Sequence, residues 1–242
     1  MATDLTYVTA FFQNINNRKD RSTQNYIDYA KDFLETDLQK IVFVEHQILP
    51  ELSKICGKNT CLIPTSKYYL STFRYTKGKH LLCQIQDTEK ATIDYCKVIS
   101  AKTFMVKEGI EMNPFQTEKF IWVDFGLRHV FHNKEQYVNS LHKEFQFRPG
   151  KVKISGIWKL KQAIQANPFT DINWFFAGGV FGGYSQDLLD FANMCDKQFK
   201  SNADEGKITL EVNMWFQIYL ENHHRIEWVD GQNFGPGLLL NF

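Results

Sequence analysis

Two carboxylates, two cations and one glycine cluster hold the chemistry available to this sequence. Asp124 closes the apolar run Phe120-Ile121-Trp122-Val123 and is followed by Phe125 and Gly126. A buried strand that delivers a carboxylate to a sheet edge, beside a glycine permitting close approach, suits a hard divalent cation completed by phosphate oxygens and water. The competing reading is an aspartate that caps the next turn. Glu211 opens the apolar stretch that runs to Leu220. A helix start stabilises its charge, and beside a cleft it is a candidate general base; otherwise it merely complements the first helical turn. Lys102, on the helix ahead of the Asp124 strand, and Arg18, in the loop after the first strand, could neutralise a pyrophosphate, although surface cations are common.

Gly178, Gly179, Gly182 and Gly183 stand among Phe176, Val180 and Phe181. Exposed backbone amides between aromatic walls suit a sugar. The alternative is a bend that lets a helix and a sheet pack closely. His223, His224 and Asp230 lie in a polar stretch near the carboxyl end, where one could complete a metal shell or touch phosphate, or all could stand solvated.

The elements that must position these groups follow from periodicity. Tyr7 to Phe12 is β-branched and aromatic and predicts a strand, followed by a polar loop, Gln13 to Arg21, with Arg18, Lys19 and Arg21. Tyr26, Ile27, Ala30, Phe33 and Leu34 recur at helical spacing, predicting a helix over Thr23–Glu35. The unbroken apolar run Ile41–Val44 predicts a strand buried on both faces of a parallel sheet. Residues 56–87 give no clear pattern. A helix is expected over Ala91–Met112, stopped by Asn113-Pro114, and another over Ile157–Ala166, stopped by Asn167-Pro168. Each precedes an expected strand, Phe120–Val123 and Trp174–Phe176, with Asp124 and Gly178 each 11 residues beyond their asparagine. Helices over Asp187–Phe199 and Leu210–Leu220, a strand over Arg225–Val229 and an irregular tail complete the reading.

The 242 residues include 28 Lys+Arg against 27 Asp+Glu, so there is no bulk field to hold nucleic acid. With 43% hydrophobic and 15% aromatic residues the chain is globular, with a large core. Five cysteines without a paired spacing indicate free thiols in a reducing compartment and no zinc site. The motifs GxGxxG, GxxxxGK[ST], HExxH and GxSxG are absent. No transmembrane segment or signal peptide is read, so the expectation is a cytoplasmic protein, any membrane attachment being peripheral.

Val8-Thr9-Ala10-Phe11-Phe12 with Arg18, Lys102 with Asn113-Pro114-Phe115, Trp122-Val123-Asp124-Phe125-Gly126, the glycine cluster and Glu211 occur in that order. In this the chain resembles the HtrL/YibB (WlaTC-like) family, assigned to GT-A glycosyltransferases of bacterial surface-glycan biosynthesis. The resemblance runs from about residue 6 to about residue 230. It implies an α/β fold with a GT-A-like, Rossmann-type mixed sheet flanked by helices, a single domain over 1–242. Residues 1–130 would form the nucleotide-binding half and 131–242 the acceptor-side half. It further implies transfer of a sugar from a nucleoside diphosphate, for instance a UDP-sugar, to a hydroxyl of a glycan or glycoconjugate acceptor. Thr9, Ala10, Phe11, Arg18, Lys102, Asp124 and Gly126 would bind the donor. Gly178, Gly179, Gly182 and Gly183 would border sugar and acceptor, with Glu211 and Asp124 catalytic. Asp124 would carry Mn²⁺ or Mg²⁺, with His223 or His224 as further ligands. Two departures stand out: Gly126 occupies the second acidic place of the usual Asp-x-Asp, and Gln13 and Asn14 follow the Phe pair where the family has an acid. A sugar nucleotidyltransferase and a non-catalytic carbohydrate- or nucleotide-binding protein are the alternatives.

Overall fold

The computed structural model describes residues 4–15, 17–18, 22–87, 89–232 and 235–242. Lys19 and Arg21 of the first loop lie outside them. The strands are β1 (Thr6–Phe11), β2 (Lys40–Glu45), β3 (Thr60–Thr65), β4 (Lys119–Val123), β5 (Val152–Gly156), β6 (Val180–Tyr184) and β7 (Ile226–Asp230). The helices are α1 (Thr23–Leu34), α2 (Leu49–Leu52), α3 (Ser71–Tyr75), α4 (Ile93–Ser100), α5 (Lys102–Met112), α6 (Lys134–Leu141), α7 (Leu160–Ala163), α8 (Ser185–Asp204), α9 (Glu211–Asn222) and α10 (Gly237–Leu240). The fold is mixed α/β, one seven-stranded sheet in the order β3-β2-β1-β4-β6-β5-β7 with helices on both faces. No helix among the described residues is long and apolar enough to cross a membrane.

Strands β3, β2, β1 and β4 are parallel, β6 is antiparallel to both β4 and β5, and β7 is parallel to β5. Because side chains alternate across a strand, β1 sends Val8 to one face, with Ile41, Met105, Trp122, Phe181 and Trp215. Its Tyr7 goes to the other, with Phe33, Ile121, Val180 and Tyr137. The uniformly apolar Ile41–Val44 is buried on both faces, as a central parallel strand must be. Ser22 starts α1 with a reciprocal cap: its hydroxyl accepts from the Asn25 N–H at 3.2 Å and its own N–H donates to Asn25 Oδ1 at 2.9 Å. Asn113 ends α5 in the left-handed region (φ 34°), the conformation asparagine tolerates.

Several expectations are corrected. The helix over 91–112 is two helices, broken at Ala101, whose N–H bonds to the carbonyl three residues back. Lys102 therefore begins α5. The helix over 157–166 shrinks to α7. Trp174–Phe176 is not a strand but a turn, and the strand lies four residues later at β6, where Phe181 pairs with Trp122 and packs 5.1 Å from Trp215. The two asparagine-proline units therefore do not share a strand. Gly182 and Gly183 lie inside β6. A Cβ on Gly182 would stand 2.8 Å from the Phe120 carbonyl of the neighbouring strand, so this glycine allows close approach within the sheet rather than forming a bend between helix and sheet.

Candidate active site

Parallel β1 and β4 end at the same edge of the sheet, and antiparallel β6 begins there. The chain passes from β1 to β2 and β3 on one side, then returns to β4 on the other. Such a reversal opens a crevice at the carboxyl ends of the strands. Here it is a cavity of about 660 Å³, lined among others by Ala10, Phe11, Arg18, Lys90, Tyr95, Lys102, Asp124, Gly126, Gly178, Gly179 and Glu211.

Lys102 is its hub. The ammonium donates to Glu211 Oε1 at 2.9 Å and to the Gly178 carbonyl at 2.9 Å, and forms an ion pair with Asp124 Oδ1 at 2.8 Å. Three oxygens thus lie within 2.9 Å of one ammonium. Its side chain is 8% exposed and that of Glu211 7%, whereas Asp124 is 40% exposed. Burial alone would lower the lysine's pKa, but the flanking carboxylates, Asp124 first, outweigh it and hold the ammonium above its ordinary value. Trp122 Nε1 also donates to Asp124 Oδ1, at 2.7 Å, and the Asp124 N–H donates to the Gly179 carbonyl at 2.9 Å. The carboxylate is thus fixed through Oδ1, while Oδ2 has no hydrogen-bond partner among the described residues. Gly178 is required by contact: a Cβ there would lie 2.1 Å from Glu211 Oε1.

Around this bridge the cavity has an aromatic wall and two more cations. Phe11 stacks on Phe125 (5.0 Å, 15°) and lies 5.3 Å from Tyr26. Half-buried Arg18 lies on the same lining. Lys90 holds its ammonium over the rings of Trp174 (5.4 Å) and Tyr95 (5.8 Å). Burial lowers its pKa, opposed by Glu211 and reinforced by Lys102 and Arg18. Lys90, Tyr95 and Trp174 were not anticipated. A single lysine in the polar stretch Asp87–Lys90 carries no periodic signal.

Of the expected residues, the structure brings Ala10, Phe11, Arg18, Lys102, Asp124, Gly126, Gly178, Gly179 and Glu211 together. It does not bring in Thr9, fully buried in β1, nor Gly182 and Gly183. His223 and His224 follow the last residue of α9 while Glu211 is its first, so twelve residues, about 18 Å of helix, separate them from the cavity. Asp230 pairs with Lys159 at 3.1 Å on the surface.

The residues present do not fit the expected divalent cation. Even with water and substrate phosphates filling most of its shell, Mg²⁺ needs one or two carboxylates from the protein. Asp124 offers one carboxylate whose Oδ1 already accepts from Lys102 and Trp122, Gly126 replaces the second acid, and the two histidines are remote. No group of three His, Cys, Asp or Glu side chains gathers among the described residues. Between Asp124 and Glu211, where a cation would bridge two acids, stands the Lys102 ammonium.

Fold and site together define a mixed α/β protein with a charged cavity at its topological switch point. The profile of the family described as "Bacterial protein of unknown function (HtrL_YibB)" matches residues 72–211, more than half of the chain, and the chain belongs to that family. No curated protein matches. Among solved structures, the chain is similar to mouse xyloside xylosyltransferase 1 in its apo form (12% identity, TM-score 0.47, covering 93% of this chain and 84% of that one). It is also similar to 4-diphosphocytidyl-2C-methyl-D-erythritol synthase from Anaerococcus prevotii (11% identity, TM-score 0.46, 96% and 88%).

Proposed function

We propose that the chain is a GT-A-type glycosyltransferase that moves a sugar from a nucleoside diphosphate to a hydroxyl of a glycan or glycoconjugate. The observation that carries this is the Asp124–Lys102–Glu211 bridge in a cavity at the sheet's switch point, large enough for a small ligand. In the reaction the bond from the anomeric carbon to the diphosphate oxygen breaks, its electron pair leaving with the diphosphate, and the acceptor oxygen bonds to that carbon. Positive charge on the cavity wall stabilises the leaving diphosphate. Asp124 Oδ2 accepts a hydroxyl of the donor. Glu211, held through Oε1, removes the acceptor proton at Oε2 if configuration inverts, and positions the acceptor if it is retained. Phe11 and Tyr26 offer ring faces to the nucleobase.

Residues 13–21, the loop after β1, hold no glycine. That counts against a sugar nucleotidyltransferase, which needs a glycine- and basic-rich phosphate loop there. The test is a thermal-shift panel of nucleotides and nucleotide sugars. A ligand that binds only the folded state at 100 times its Kd stabilises by about 2.7 kcal/mol. A midpoint raised by at least one nucleoside diphosphate and its sugar is expected; no shift with any compound contradicts the proposal.

A further inference from the structure

The glycosyltransferase reading calls for positive charge at the donor's diphosphate, and the inference drawn here rests on that reading. The Lys102 ammonium is already engaged by Asp124, Glu211 and the Gly178 carbonyl, all within 2.9 Å. With the two carboxylates it forms a trio of net negative charge. A divalent ion at Asp124 would share that carboxylate with an ammonium 2.8 Å away.

Lys90 stands differently. It is half-buried on the cavity wall, over two ring faces, and no carboxylate lies within ion-pair distance of its ammonium among the described residues. A partly desolvated cation on aromatic rings, lacking a counter-ion, is matched by an incoming anion. The segment that carries it is tied to the loop that carries Arg18: the Asn17 N–H donates to the Glu89 carbonyl at 2.8 Å, and Thr92 Oγ1 donates to the Ile15 carbonyl at 2.5 Å. The Lys90 N–H is itself anchored on Asp87 Oδ1 at 3.0 Å.

We propose that Lys90, with Arg18, is the phosphate clamp of this cavity, and that it holds a nucleoside diphosphate without a divalent cation. Lys102 is then a positioning residue, setting Asp124 and Glu211 and leaving the phosphates to its neighbours.

Calorimetry with UDP, GDP, CDP and ADP, and with the matching nucleosides, tests this on the full chain. For the diphosphate that binds, affinity in EDTA should equal affinity in Mn²⁺ within about twofold. Lys90→Ala should weaken it roughly tenfold or more, the worth of a charge-assisted hydrogen bond, while nucleoside affinity stays unchanged. Lys90→Gln, which keeps the side chain's reach over the rings, should show the same selective loss if the alanine variant folds poorly. Affinity that collapses in EDTA, or a Lys90 variant that weakens nucleoside and diphosphate alike, overturns the clamp but leaves the transferase reading standing. No binding of any diphosphate in either condition overturns both.

Discussion

Lys102→Met keeps most of the side chain's length and removes its charge from between two carboxylates. Both lie within 2.9 Å of one Nζ, so without it two like charges stand less than about 6 Å apart. Breaking a buried pair by deleting one partner costs about 3–5 kcal/mol. The Asp124 side of the bridge is 40% exposed and contributes little after solvent screening. Most of the cost therefore falls on Glu211, 7% exposed and left with no cation. Its place at the start of α9 returns only about 0.3–1 kcal/mol. The expected loss is about 3 kcal/mol, read from urea midpoints at unchanged m-value. Adding Glu211→Gln removes the stranded charge and should recover about 1–2 kcal/mol. Lys102→Met within about 1 kcal/mol of wild type, or a strictly additive double variant, would refute the bridge as the centre of this site.

Three further outcomes are expected. Asp124→Asn keeps an acceptor at Oδ1 for Lys102 and Trp122, so its urea midpoint should correspond to a loss of no more than about 1 kcal/mol; a larger loss would make the residue structural. Gly178→Ala places a Cβ 2.1 Å from Glu211 Oε1 and should cost about 1–3 kcal/mol. Gly179→Ala, whose nearest contact is the flexible Leu127 Cδ1 at 3.2 Å, should be far milder by thermal melting. The Cys96 thiol, 3.7 Å from Cys83, lowers the Cys83 pKa to about 7 by hydrogen bonding, whereas burial raises Cys56 and Cys61. Thiolate is the reactive form, so iodoacetamide should label Cys83 first near neutral pH, its rate rising through about pH 7. Cys96→Ala should slow it; equal labelling of the half-buried thiols would contradict the pairing.

Elements with strong periodicity were legible: β1, α1, β2, β4, α8 and α9 stand within a few residues of their expected bounds, apart from the longer C-terminal end of α8. Tertiary pairing decided the rest. Trp174–Phe176 and Val180–Phe181 are both apolar runs, and only the partner strand selects the second, by setting Phe181 opposite Trp122. Strand β3 was hidden by Pro64 and by half-burial, both tolerable at a sheet edge. The acids were found because each begins or ends an apolar element, and Lys102 as a cation on the helix ahead of the Asp124 strand. Lys90 was not, because its place depends on a loop folding back over the cavity. Residue type suggested Lys102 as a phosphate ligand; only geometry shows its ammonium already engaged by Asp124, Glu211 and Gly178.

The central claim is that this cavity activates a nucleotide-linked sugar. Its most direct test is the release of nucleoside diphosphate from a panel of nucleotide sugars by the wild-type chain, Asp124→Asn and Glu211→Gln, with a mixture of glycan acceptors. Loss of one preorganised polar contact costs roughly 10²–10³ in rate. Release by the wild type from at least one donor is predicted, with both variants slower by about that factor. Release by both variants at the wild-type rate, or none by the wild type from any donor, would contradict the account.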